Sequence, residues 1–155
     1  MEKTNVMRRL DQKKVKYIPH CYEGTGAVSG IEVAESLGQD PECVFKTLVT
    51  VGARGNHYVF VIPVTHELSL KKAAAAVGEK SVAMIKSKEL LPLTGYIHGG
   101  CSPIGMKKQF RTVFNATAES FDTIMFSAGK IGFQVEMSVC DLKRVIDFEF
   151  ADITE

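Results

Sequence analysis

The chain has 155 residues (17.0 kDa), is 45% hydrophobic and 24% charged, and sets 19 basic against 18 acidic residues for a formal net charge of +1. That composition excludes a disordered chain and fits one domain over 1–155, long enough to bury roughly two thirds of its unfolded surface. It also lacks the basic excess of a protein that grips nucleic acid unaided, so RNA contact would need a local patch or a carrier protein. No apolar run approaches the roughly 20 residues of a membrane span, and Met1-Glu2-Lys3-Thr4-Asn5 carries no apolar signal core. Cys21, Cys43, Cys101 and Cys140 form neither a CxxC pair nor a metal spacing. Reduced thiols in a soluble cytoplasmic domain, without metal or cofactor, are expected.

In chain order, Thr4 or Asn5 caps a first helix with Met7 and Leu10 three apart, and Val15–Glu23 reads as a strand interrupted by Pro19. Ser29-Gly30-Ile31-Glu32 has capping-box spacing for a second helix that Gly38 ends, and Asp40-Pro41-Glu42 starts a short helical turn. Val44–Val51 and His57–Val64, joined through Gly52–Asn56, form a hairpin. Ser69 opens a helix over Leu70–Val77, Ser81–Ile85 is a strand, and Ser87–Leu91 is a helix stopped at Pro92. Beyond a Gly-rich segment, Gly95–Gly105, come strands at Arg111–Phe114 and Thr123–Phe126. A tight turn, Ser127–Gly132, leads into a strand at Phe133–Met137, and Ser138 caps the last helix with Asp141 at N3. Helices and hairpins without a regular βαβ rhythm predict an α/β fold of α+β character, a mixed sheet with helices on its faces.

Three places could carry chemistry. Lys46 is either a strand lysine on a solvated face or an ammonium at a cleft that donates to a substrate oxygen. Thr94–Gly105 places four glycines and Pro103 in about a dozen positions, so it is either a structural loop or a segment whose N–H groups stabilise an oxyanion. Lys107-Lys108-Gln109-Phe110-Arg111 is the densest basic stretch, either a solvated face or a contact for a phosphate backbone. His98 and Cys101, or His20 and Cys21, supply too few ligands for zinc, and a Cys101 nucleophile would need a base.

At these residues the chain resembles the YbaK/EbsC family of aminoacyl-tRNA deacylases, relatives of the editing domain of bacterial prolyl-tRNA synthetases. The matching pieces are His20-Cys21-Tyr22, Val44–Leu48, Leu70-Lys71-Lys72, Thr94-Gly95-Tyr96, Gly99–Lys108, Ser127–Gly132 and Phe150–Ile153, in order along the whole chain. The resemblance implies a mixed sheet partly closed like a barrel with helices around it. It also implies trans-editing of mischarged tRNA at the acceptor end, most typically cysteine on the proline tRNA. A synthetase pocket cannot strongly reject that near-isostere of proline.

The mechanism so implied has the substrate thiol attack its own ester carbonyl, helped by proximity. On this sequence Lys46 is the catalytic group and the Gly99-Gly100 backbone approaches the carbonyl. Tyr22, Ser29, Thr47, Ser102, Ser127, Gly129 and Gln134 surround the substrate, Lys107, Lys108 and Arg111 meet tRNA, and prolyl-tRNA synthetase joins a ternary complex away from any membrane. Many members carry Phe where Ser29 stands, some an acid where Gln134 stands, and commonly an apolar residue in place of Cys101. The alternatives are a deacylase of alanyl-, seryl- or threonyl-tRNA that uses water, a non-catalytic tRNA- or synthetase-binding module, and a thiol enzyme using Cys101.

Overall fold

The computed structural model describes residues 2–155. Thr4 caps α1 (Asn5–Gln12), accepting the Met7 N–H at 3.3 Å, and Val6, Met7 and Leu10 are buried while Arg8 and Arg9 stay exposed. β1 (Ile18–Cys21) is shorter than the expected strand. It is an edge strand, where Pro19 can do without an N–H. α2 (Gly30–Ser36) has the full capping box, Glu32 N–H to Ser29 Oγ at 3.2 Å and Ser29 N–H to Glu32 Oε1 at 3.0 Å. A 3-10 turn over Pro41–Cys43 leads into the hairpin β2 (Phe45–Gly52) and β3 (His57–Pro63), and Ser69 caps α3 (Leu70–Val77).

The remaining elements are β4 (Val82–Met84), α4 (Ser87–Thr94), β5 (Arg111–Asn115), β6 (Ile124–Ser127), β7 (Phe133–Met137), α5 (Val139–Leu142) and β8 (Glu149–Ala151). Pro92 does not stop α4. Its ring removes the bond to the Lys88 carbonyl, but Gly95 N–H still reaches Leu91 O at 2.8 Å and the Thr94 hydroxyl donates to Leu90 O at 2.7 Å.

The strands form two sheets, β1-β7-β6, antiparallel throughout, and β4-β2-β3-β5-β8. The second is mixed, with β2–β3 and β2–β4 antiparallel but β3–β5 and β5–β8 parallel. The expected mixed architecture is present and the expected barrel closure is not. β6 meets β2 through one bridge, Val44–Met125, and no sheet among the described residues closes on itself. The main core lies between the sheets and α1, around Phe45, Phe114, Phe126, Phe133, Val135 and Leu10. A second core sits under α3, and a small third one joins Ala34 of α2 to Val44 and Met125.

Candidate active site

Strand alternation decides which side chains can meet. On β6 and β7, Phe126, Phe133 and Val135 point into the main core, so Ser127, Gln134 and Glu136 point out of the opposite face. Ser127 is opposite Gln134, which is opposite His20 of β1. β2 approaches from the other side with Val44 against Met125, and two residues along each strand set Lys46 level with Ser127. Lys46, Ser127, Gln134 and His20 thus form one polar row across four strands. α2 roofs the neighbouring row through Ala34. Its approach is close, since a Cβ on Gly30 would lie 2.4 Å from Val64 Cγ1, and this brings Ser29 to the edge of the same face.

The Ser127–Gly132 turn forms one wall. Gly129 N–H donates to Ser127 Oγ at 3.1 Å, and Phe133 N–H to Lys130 O at 3.2 Å. The Gly99-Gly100 loop lies on this turn, where a Cβ on Gly100 would stand 3.2 Å from Ile131 N. Tyr22 is tied to the same turn by its N–H to Gly132 O at 2.8 Å. Tyr22, Gly99, Gly100, Ser127 and Gly129 therefore converge beside the polar row. The Gly100 N–H is occupied by Ile97 O at 3.0 Å, whereas the Gly99 N–H has no acceptor among the described residues.

Other expected residues are engaged in other contacts. Thr47 alternates to the face opposite Lys46, where its Oγ1 is buried without a partner. Ser102 is fully buried and accepts the Ile104 N–H at 3.2 Å. Lys107 lies along Gly95, and Lys108 Nζ stands 5.8 Å over the Phe110 ring. Arg111 is held by both Glu149 oxygens, at 2.7 and 3.2 Å. It pairs with Tyr58, four residues along β3 from the Ile62 that faces Lys46, about 13 Å at strand spacing.

The electrostatics separate the candidates further. Lys46 is half-buried and has no carboxylate in ion-pair reach among the described residues. Glu136 is held below the usual carboxylate range, first by the Thr123 hydroxyl at 2.6 Å and then by His20 Nε2 at 2.8 Å. Burial pushes the Cys101 thiol up to about 12, leaving almost no thiolate at neutral pH. No group of three or more His, Cys, Asp or Glu among the described residues is placed to hold a metal ion. A cleft of about 700 Å³ lies beyond β1, where Asp11, Glu136 and Asp141 outnumber Lys16, a charge balance that suits no polyanion. The unpaired cation therefore selects the Lys46 face.

A profile of the aminoacyl-tRNA editing domain matches residues 26–145. The chain belongs to the aminoacyl-tRNA editing domain family. Over 99% of its length it is 46% identical to EbsC of Enterococcus faecalis, covering 94% of that protein, whose name gives it a provisional Cys-tRNA(Pro)/Cys-tRNA(Cys) deacylase activity. It is 27% identical over 64% of its length to a proline–tRNA ligase of Trichlorobacter lovleyi, of which it spans 17%. A solved structure described as a provisionally assigned trans-editing enzyme for prolyl-tRNA synthetase superposes with TM-score 0.83 at 22% identity, covering 99% of both chains.

Two residues of this editing domain escaped the sequence reading. Gln39 Nε2 donates to Gln134 Oε1 at 2.9 Å and fixes that amide, and Ile131, half exposed, covers the glycine loop. One glutamine in a polar loop and one isoleucine in a turn gave no signal. In the editing domain Cys101→Ser should cost about 1–3 kcal/mol of stability, from a hydroxyl buried in place of a thiol, and leave deacylation at wild-type rate. Loss of activity in a folded variant would reinstate the thiol enzyme.

Because its folded pKa is lowered, Glu136 adds stability above its unfolded pKa, about 4.3, and that stability is lost as pH falls through the folded value. Glu136→Gln should therefore flatten the acid limb of urea midpoints measured between about pH 3 and 6. Parallel acid limbs would remove Glu136 from the acid response.

Proposed function

We propose that the chain is a trans-editing aminoacyl-tRNA deacylase that cleaves the ester of mischarged tRNA, with cysteinyl-tRNA(Pro) its preferred substrate. The observation that carries this reading is the unpartnered Lys46 ammonium, level with Ser127 at the start of the turn on which the Gly99-Gly100 loop lies. Family membership and the near full-length relative named for Cys-tRNA(Pro)/Cys-tRNA(Cys) support it.

The ester carbonyl sits between these donors, and charge that develops on its oxygen is met by Lys46 and Gly99. The substrate sulfur forms a bond to the carbonyl carbon as the bond to the ribose oxygen breaks. The thiol proton passes to that oxygen, which leaves as the tRNA hydroxyl, and water then opens the four-membered thiolactone. Holding thiol and carbonyl together supplies the acceleration. Gln134, fixed by Gln39, lies on the floor, and Tyr22 and Ser29 lie at the edge. Prolyl-tRNA synthetase delivers the tRNA in the cytoplasm, where translation takes place.

Deacylation rates of cysteinyl-tRNA(Pro) and alanyl-tRNA(Pro) test the reading. Rapid loss of cysteine alone supports thiol assistance. Loss of alanine moves the enzyme to the water-using branch, a reading favoured by the small Ser29-Gly30 pair at the start of the roof helix. Binding without a shortened ester lifetime would return the chain to a binding module.

A further inference from the structure

A second cleft, of about 280 Å³, lies between α1 and the segment before β5. Ile104, Met106 and Ile146 form its buried floor, and Arg9, Gln12 and Lys13 line its rim. It is smaller than the usual range for a drug-sized ligand, and so suits one small polar group. No carboxylate lines it, and neither Arg9 nor Lys13 has an ion-pair partner among the described residues. Arg9 and Lys13, four apart, stand exposed on one side of α1, while Val6, Met7 and Leu10 face the core. The Lys13 carbonyl, at the negative end of α1, is covered by Arg144 Nη2 at 3.3 Å. In a chain of net charge +1, an acid-free recess with two unpaired cations is a local excess that fold stability does not require.

Through Tyr96 the recess also adjoins the Ser127–Gly132 turn of the proposed active site. A Cβ built on Gly105 would lie 3.4 Å from Arg9 Nε and 2.8 Å from Tyr96 Oη, and one built on Gly129 would lie 3.3 Å from the same oxygen. Tyr96 thus packs against both Gly105 of the cationic cleft and Gly129 of the Ser127–Gly132 turn. Charge complementarity then selects the occupant.

We infer that Arg9 and Lys13 form a phosphate subsite that holds the backbone of the tRNA acceptor strand while its aminoacyl end lies at Lys46. This rests on the deacylase reading above. It moves the tRNA contact from Arg111, which Glu149 neutralises, to α1, with Lys107 following Met106 at the cleft wall.

The test uses Arg9→Gln, Lys13→Gln and the double variant in the full chain, with two substrates, cysteinyl-tRNA(Pro) and a cysteinyl ester of adenosine without upstream phosphates. The double variant should raise KM for the tRNA at least tenfold with kcat unchanged, and act on the adenosine ester like wild type. Binding of uncharged tRNA, followed across salt concentrations, should lose about two from its log–log slope, one per cation. An unchanged slope overturns the subsite and points to an acidic protein surface as the occupant. Equal losses on both substrates overturn it too, because the cations would then act on the reacting end. If wild type hydrolyses neither substrate, the deacylase reading fails, and the salt slope still decides whether the cleft binds phosphate.

Discussion

Replacing Lys46 by alanine should lower cysteinyl-tRNA(Pro) deacylation by at least about 100-fold, the size expected when one preorganised donor to a developing oxyanion is removed. Stability should stay within about 1 kcal/mol, since Lys46 is half-buried and leaves no carboxylate unpaired. Lys46→Arg keeps the charge but replaces a compact point donor with a planar fork, so it should recover only part of the rate. The decisive measurement is single-turnover hydrolysis, with circular dichroism and urea midpoints to confirm folding. A folded Lys46→Ala variant with the wild-type rate would remove the assigned site altogether. One that lost KM but kept kcat would make Lys46 a binding group, because the interaction would then be equal in ground and transition states.

What the sequence made legible was local. Thr4, Ser29, Ser69 and Ser138 cap helices where their spacing predicts, because a cap is a bond between residues three apart. The Phe45–Pro63 hairpin was readable for the same reason. The polar row was not, since Lys46, Ser127, Gln134 and His20 meet through pairings that join distant parts of the chain. Thr47 follows Lys46 directly and so looked like its companion, but a strand turns neighbours to opposite faces. Arg111 belonged to a basic run until Glu149, brought alongside by the β5–β8 pairing, neutralised it. β8 itself has three residues, too few to show a period of two. Barrel closure came from resemblance, and it failed where β6 and β2 share one bridge instead of a ladder.

The turn that carries Ser127 should be the least tolerant part of the site, and two glycines measure this. Gly55 in the β2–β3 turn and Gly129 in the site turn have nearly the same backbone, φ +90 and +88. Alanine at Gly55 meets nothing within 4 Å, so its cost is conformational strain alone, about 1 kcal/mol or a little more. At Gly129 the new Cβ would stand 3.0 Å from both Tyr96 Cε1 and Val6 Cγ2. Neither neighbour is free to move: Val6 is buried in the main core and the Tyr96 hydroxyl is bonded to Ile104 O. Overpacking then adds about 1–3 kcal/mol to the same strain, and relief requires the turn to shift, carrying Ser127 and Ile131 with it. Urea midpoints should therefore fall further for Gly129→Ala than for Gly55→Ala. Under conditions where both remain folded, Gly129→Ala should lose at least tenfold in kcat while Gly55→Ala keeps the wild-type value. Equal midpoints would mean that the turn moves freely against Tyr96, and Ser127 would then be held level with Lys46 by the Val44–Met125 register alone.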